Sequence, residues 1–176
     1  IGFGHRRLAI LDLSEQGHQP MLSTDGRYVI TYNGEVYNHH EIRHELERLG
    51  TSFRGHSDTE VLVEALSRWG VEAALDRVDG MFAFGVWDRE DRSLVLARDR
   101  MGEKPLYYGK LGSGEIVFGS SLDSLRSHPL FDRPVDRDAL ALFFRHKYVP
   151  APWSIYSGIL KLEPGHTLRI DAGGHI

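Results

Sequence analysis

The sequence MFAFGVW at residues 81–87 is apolar on both of its alternating faces, and LVLA at residues 94–97 has the same property. Strands of this composition are typical of a sheet that is covered on both sides, because a sheet with one wet face alternates apolar and polar residues. Two sheets stacked face to face, with helices outside them, would provide that cover. The two stretches therefore predict an α+β sandwich.

The flanking sequence predicts the other elements. Apolar residues at helical spacing indicate helices over 41–49 and 58–69, which end at Gly50 and Gly70. Shorter patterns predict strands at 7–12, 28–32, 107–108, 116–118 and 167–170, and helices at 121–126 and 136–146.

The composition favours one domain that acts on a small, soluble ligand. A chain of 176 residues, 41% of them hydrophobic, is long enough for one globular domain and too short for two well-buried domains. The formal net charge of −4 gives no basic footprint for nucleic acid. No apolar run approaches the roughly 18 residues that span a bilayer. We therefore expect neither nucleic acid nor a membrane as a partner, and a cytoplasmic location.

The chain contains no cysteine. This excludes disulfides, thiolate metal sites and thiol nucleophiles within its own residues. The first residues already have the pattern of a strand, so we expect the sequence to be an excerpt from a longer domain.

Two polar positions near the start are candidates for a ligand site. Arg7 opens the first predicted strand, where its guanidinium could hold a carboxylate through two parallel hydrogen bonds. Beside Arg6, it could also be a solvated surface charge. Asn33 and Gly34 could donate a side-chain amide and a backbone N–H to an oxyanion. The plainer interpretation of Asn-Gly after a strand is a hairpin turn.

A third candidate is Asp58, which we expect to be exposed at the start of a helix, where it could accept a hydrogen bond from an ammonium group. The sequence from Ser57 to Glu60 also matches a capping box, so a structural explanation is available. A carboxylate receptor, an ammonium receptor and an amide-oxygen receptor together describe a free amino acid with a side-chain carbonyl. Glutamine fits this description.

The segments GHRRLAILDL, YNGEVYN, GHSDTE, GMFAFGVWD and RDRMGEKPLYYG follow one another in the chain. In order and spacing they resemble the class II amidotransferase domain of glutamine-hydrolysing asparagine synthetases. The later segment YVPAPWSIYSGILKLEPGHTL is similar to that family's passage towards its synthetase domain. The resemblance implies the fold of N-terminal nucleophile hydrolases, a four-layer α/β/β/α sandwich, here lacking its first strand or strands.

By this resemblance, Arg7 would bind the carboxylate of glutamine, Asn33 and Gly34 would form the oxyanion hole, and Glu35 and Asp58 would face the ammonium end. Family members use an amino-terminal cysteine whose thiol attacks the glutamine amide, while its own α-amine serves as base. That cysteine and the family's early His-Arg-Gly-Pro-Asp stretch are both missing from this chain. We therefore expect the fragment alone to be inactive.

The resemblance also implies what accompanies this domain. The amidotransferase domain would occupy residues 1–146, and residues 147–176 would connect it to a synthetase domain of the same polypeptide. That second domain would use ATP and Mg to amidate aspartate with the released ammonia. No cofactor or metal is expected in the amidotransferase domain. The final amide acceptor stays open, as does assembly into a homodimer.

The loop Arg98–Pro105 carries dense charge between two predicted strands, and we predict a salt-bridged turn there. The resemblance marks the loop as characteristic of the family without assigning it a chemical role.

Two alternative functions remain open. The sequence from His40 through Glu41 to His44 is a literal H-E-x-x-H, the zinc-binding motif of metallopeptidases. On a helix that buries Ile42, both histidines would point to water, which argues against a metal site. The second alternative is a synthetase-associated domain of the same fold that does not hydrolyse glutamine. The presence of all three receptors argues against it.

Overall fold

The computed structural model of the chain describes residues 1–6 and 15–176. The strand predicted at 7–12, which includes Arg7, lies outside these described residues. Within them, strands and helices are mixed as the sequence predicts, and the α+β class is confirmed.

The strands are β1 Met21–Leu22, β2 Tyr28–Val36, β3 Gly80–Asp88, β4 Ser93–Arg98, β5 Tyr107–Lys110, β6 Ile116–Gly119, β7 Ile159–Lys161 and β8 Thr167–Ile170. The α-helices are α1 His39–Arg48, α2 Asp58–Trp69, α3 Val71–Arg77, α4 Leu122–Arg126 and α5 Arg137–His146. The predicted helices and strands in the described residues are all present. Helix α3 was not predicted, because its seven residues are too few to establish a period.

The strands form two antiparallel sheets. Among the described residues, the larger sheet has five strands in the order β1-β2-β3-β4-β8, and the smaller sheet has three in the order β6-β5-β7. In the larger sheet, the nine residues of β2 all pair with β3, in a register that places Gly34 opposite Phe82. This long pairing fixes the strand that carries most of the candidate site.

Strand β3 is covered on both faces, as its composition predicts. Phe82 and Phe84 are buried in the core that the larger sheet forms with α1, α2 and α3. Ala83 belongs to a second core, between the two sheets. There Phe118 of β6 packs so closely that a Cβ on Gly85 would lie 2.5 Å from its ring. The two sheets are therefore stacked face to face.

The helices complete the layers. Helices α1, α2 and α3 cover the outer face of the larger sheet, and α4 lies beside β6 of the smaller sheet. Helix α5 is largely exposed, and Ala139 is its one buried residue. No helix in residues 1–6 and 15–176 is long and apolar enough to cross a membrane.

Residues 147–176 contribute one strand to each sheet. Strand β7 pairs with β5 in the smaller sheet, and β8 pairs with β4 at the edge of the larger one. The segment expected to connect this domain to a synthetase domain is thus also part of the sandwich.

Candidate functional site

A cavity of about 1080 Å³ lies where the larger sheet, the start of α2 and the smaller sheet meet. The candidate residues Asn33, Gly34, Glu35 and Asp58 all line it. The opposite wall is formed by β6 and α4. The fifth candidate, Arg7, lies outside the described residues.

Asn33 and Gly34 lie inside β2, so the alternative interpretation as a hairpin turn is wrong. The strand position explains the glycine. A Cβ on Gly34 would lie 2.2 Å from the carbonyl oxygen of Met81 and 2.7 Å from Cα of Phe82. Both contacts are with backbone atoms, which cannot rotate away. Strand β3 therefore approaches β2 too closely at this point for any side chain.

Two hydrogen-bond donors of β2 are available at the cavity. The side-chain amide of Asn33 makes no hydrogen bond to any residue that the structure describes. The N–H groups of Tyr32 and Val36 donate to side chains outside the strand ladder, at 2.7 and 3.0 Å. Since N–H groups alternate in direction along an antiparallel strand, the Gly34 N–H, midway between them, is predicted to point the same way.

The start of α2 is held by two side chains. Ser57 caps the helix by accepting a hydrogen bond from the Glu60 N–H at 3.2 Å. The carboxylate of Glu60 does not fold back onto Ser57, as a full capping box requires. It accepts from the backbone N–H groups of Arg54 and Gly55 instead, at 2.7 and 2.8 Å. The N-cap by Ser57 is confirmed. The second hydrogen bond of a capping box, from the Ser57 N–H to Glu60, is absent from the described residues, and Glu60 holds the preceding loop instead.

Asp58, the first residue of α2, is buried rather than exposed, with a fractional exposure of 6%. Its Oδ2 accepts hydrogen bonds from the Tyr32 hydroxyl at 2.7 Å and from the Val36 N–H at 3.0 Å. Two donors fix the plane of the carboxylate. Its Oδ1 has no hydrogen-bond partner in the described chain.

Besides Asp58, the charged side chains that line the cavity include Arg6, Glu35, Lys104 and Glu115. Glu35 and Lys104 are each half-buried, and neither forms an ion pair or side-chain hydrogen bond with the described residues. The family resemblance implied a role for Glu35 but none for Lys104, which belongs to the loop predicted to be a salt-bridged turn. The wall of the cavity therefore carries charges of both signs.

The loop Arg98–Pro105 is not the salt-bridged turn predicted from its charges. Arg98 donates to the backbone oxygens of Lys104, Leu162 and Gly102 at 2.6–2.7 Å. Asp99 is 1% exposed and accepts from the backbone N–H groups of Glu103 and Lys104 in the turn and of Phe82 in β3. Burial alone would raise the pKa of Asp99, but these donors lower it below its usual value. Arg98, Asp99 and Arg100 bind backbone groups, not one another.

The H-E-x-x-H segment does not form a metal site. His40, Glu41 and His44 are exposed on α1, while Ile42 is buried, as the helical spacing predicts. The described residues contain no group of three metal-binding side chains that could hold an ion. The zinc metallopeptidase alternative therefore has no support.

The fold is shared with two solved enzyme structures. A glutamine phosphoribosylpyrophosphate amidotransferase from B. subtilis, complexed with ADP and GMP, superposes with a TM-score of 0.63 at 24% identity, over 97% of this chain and 32% of that one. A structure of the allosteric regulatory enzyme of purine biosynthesis gives a TM-score of 0.61 at 23% identity, over 96% of this chain and 33% of that one. The sandwich is thus a fold that this chain shares with both of these enzymes.

The family is given by the sequence comparisons. Residues 1–176 match the model of the glutamine amidotransferase domain. The chain is 41% identical to glutamine-hydrolysing asparagine synthetase 3 of Bacillus subtilis over 98% of its length, and 40% identical to synthetase 1 of the same organism over 100%. It spans 28% and 27% of those two proteins. The chain belongs to the glutamine amidotransferase domain family.

Proposed function

We propose that this domain binds glutamine and orients its side-chain amide for hydrolysis. The observation that carries the proposal is the meeting of Asn33, Gly34, Glu35 and Asp58 in one cavity. Asn33 and Gly34 offer donors for the amide oxygen, and Asp58 offers a fixed carboxylate for an ammonium group. A free amino acid with a side-chain amide requires both kinds of group.

The remaining contacts follow from the charges of glutamine. Its α-ammonium lies between Asp58 and Glu35, both of which are acceptors with unused oxygens. Its α-carboxylate binds the guanidinium of Arg7, since a planar fork of donors suits a carboxylate. Family membership supports this assignment.

The proposed hydrolysis uses a nucleophile that this chain does not contain. A cysteine thiolate from outside these residues attacks the amide carbon, and the carbonyl oxygen becomes an oxyanion held by Asn33 and Gly34. The C–N bond then breaks, and the nitrogen takes a proton from the cysteine's ammonium and leaves as ammonia. Water hydrolyses the thioester to glutamate and regenerates the thiol. The isolated chain is accordingly inactive.

In the intact protein, the ammonia amidates aspartate in a synthetase domain of the same polypeptide, which binds ATP and Mg. The support is that the relatives at 40–41% identity are glutamine-hydrolysing asparagine synthetases. Their length, of which this chain spans about a quarter to a third, leaves room for that domain.

The test is Asn33→Ala in the full-length protein. Loss of an oxyanion donor is expected to lower the kcat of glutamate release by roughly 10²- to 10³-fold and to change the KM for glutamine little. Arg7→Ala is expected to do the reverse, with a raised KM and a kcat close to that of wild type. Amidation of aspartate with added ammonia is the internal control and stays unchanged in both variants.

Each failure has a distinct meaning. Glutamate release that survives both substitutions would show that the site assignment is wrong. Full-length protein that releases no glutamate, yet amidates aspartate with added ammonia, would favour the non-hydrolysing alternative.

A further inference from the structure

Tyr32 is a buried residue of β2 that the proposed reaction does not use. It is 4% exposed and faces the core beneath α1 and α2. Its hydroxyl does not reach solvent but donates to Asp58 Oδ2 at 2.7 Å. A tyrosine in an apolar strand is normally explained by its ring, so the partner of its hydroxyl is the informative feature.

The hydrogen bond acts on one side of the Asp58 carboxylate. The Tyr32 hydroxyl and the Val36 N–H converge on Oδ2, while Oδ1 has no partner in the part of the chain that the structure describes. A carboxylate held in this way cannot rotate about its Cβ–Cγ bond without breaking both bonds. Asp58 also lines the cavity. The unused oxygen is therefore held in a defined direction.

Tyr32 is itself fixed by its neighbours. Its backbone N–H donates to Gln19 Oε1 at 2.7 Å, and Gln19 Nε2 reaches Thr59 Oγ1 of α2 at 3.4 Å. The network joins the segment before β1, strand β2 and the first turn of α2. Tyr32 and Asp58 are thereby held in register although they are 26 residues apart.

The hydroxyl is a permanent donor. Burial raises the pKa of Tyr32 far above its usual value, and the charge of Asp58 raises it further. The phenol therefore keeps its proton at neutral pH and remains a hydrogen-bond donor. A short hydrogen bond from a neutral hydroxyl to a carboxylate is among the stronger kinds in proteins.

We propose that Tyr32 is a positioning residue that aims Asp58 at the α-ammonium of glutamine, an inference that rests on the proposed function. Tyr32 does not touch the substrate. It sets the orientation of the carboxylate that does, and so contributes to the selection of substrates with a free α-amine. The role is separate from that of Asn33, which faces the amide oxygen.

The test is Tyr32→Phe in the full-length protein, which removes one oxygen and keeps the ring. The KM for glutamine is expected to rise about tenfold, with kcat within about twofold of wild type, as for the loss of one charge-assisted hydrogen bond. Partial unfolding would lower the number of active sites and so kcat, but it would leave KM unchanged. The KM therefore separates positioning from stability.

A matched control is Tyr28→Phe. Tyr28 is a second buried tyrosine of β2 in the same core, at 6% exposure, and its hydroxyl is close to Asp88 instead of Asp58. This variant loses a hydroxyl from a similar environment and is expected to keep the wild-type KM. An equal rise of KM in both variants would overturn the proposal, because the effect would then be general to the core.

A double-mutant cycle distinguishes this proposal from the proposed function. Asp58→Asn should raise the KM for glutamine, and Tyr32→Phe should add nothing in that background, because there is no carboxylate left to orient. Independent, multiplicative effects would overturn the positioning role alone, as would an unchanged KM in Tyr32→Phe. If Asp58→Asn leaves KM unchanged, the proposed function of Asp58 fails and this inference fails with it.

Discussion

Asp99 shows at the scale of one residue how a buried charge can organise a turn without a charged partner. Its carboxylate accepts the N–H groups of Phe82 at 3.2 Å and of Glu103 and Lys104 at 3.0 Å. Three backbone donors around one buried carboxylate stabilise its charged form. The same bonds fix the turn that brings Lys104 to the cavity wall.

This arrangement predicts an acid-dependent loss of stability. The folded-state pKa of Asp99 is lowered, so its contribution is present above the unfolded-state pKa of about 3.9 and is lost as the pH falls through the folded-state pKa. Asp99→Asn is expected to cost about 1–3 kcal/mol at pH 7 and progressively less below pH 4. Urea unfolding of the intact protein at pH 7, 5 and 3 measures both effects.

The control is Asp132→Asn, which removes an exposed carboxylate with no hydrogen bond to the described residues. It is expected to leave stability unchanged at each pH. A cost for Asp99→Asn that stays constant from pH 7 to pH 3 would contradict the role assigned to the charge.

At the scale of elements, α2 depends on the loop that precedes it. Glu60 is 1% exposed, and its two oxygens accept the N–H groups of Arg54 and Gly55. Glu60→Gln keeps the shape but turns one acceptor into a donor, which then faces a backbone N–H. We expect a cost of about 2 kcal/mol and faster hydrogen exchange over residues 51–58, measured by mass spectrometry on the intact protein.

Glu41→Gln is the matched control, because Glu41 also lies in the first turn of its helix but is exposed. It should leave exchange in both helices unchanged. If Glu60→Gln changes exchange no more than this control, the loop is held by its other contacts and Glu60 is not its anchor.

The elements also show where sequence reasoning succeeds and where it fails. The composition of β3 and β4 predicted two covered faces, and the two cores confirm it, because burial on both sides excludes polar residues from both. The Asn33-Gly34 pair suggested a hairpin turn, because Asn-Gly is a local turn signal. In the structure β2 continues through both residues, because they pair with β3.

The sequence pointed to some residues of the candidate site and not to others, again because sequence signals are local. Asp58 was a candidate because a charge at a helix start could accept from an ammonium group, although the capping box offered a structural explanation and the side chain was expected to be exposed. Tyr32 looks like a core aromatic, and only the distance to Asp58 shows what its hydroxyl contacts. The role of Tyr32 depends on a contact with a residue that is distant in sequence, so neither the sequence around Tyr32 nor that around Asp58 predicts it.

At the scale of the whole molecule, the sandwich leaves apolar side chains in water around α5. On α5, Phe144 is 76% exposed and its neighbour Phe143 44%, and Tyr148 at 61% and Trp153 at 50% follow after the helix. Exposed aromatic side chains grouped in this way are typical of surfaces that become covered by another part of a protein or by another molecule. The isolated chain is therefore expected to associate with itself as its concentration rises.

The substitution Phe144→Glu tests this expectation. Replacing the most exposed of these aromatic side chains by a charge removes apolar area that association would bury, at about 25 cal/mol per Å², and should shift self-association to at least several-fold higher concentration in sedimentation velocity.

Met101→Glu is the control, because Met101 is 81% exposed but lies in the loop after β4, away from α5 in sequence. If both substitutions weaken association equally, the cause is net charge. If neither does, association uses a different surface, such as the free edge of a sheet. Only a selective effect of Phe144→Glu would assign the contact to α5.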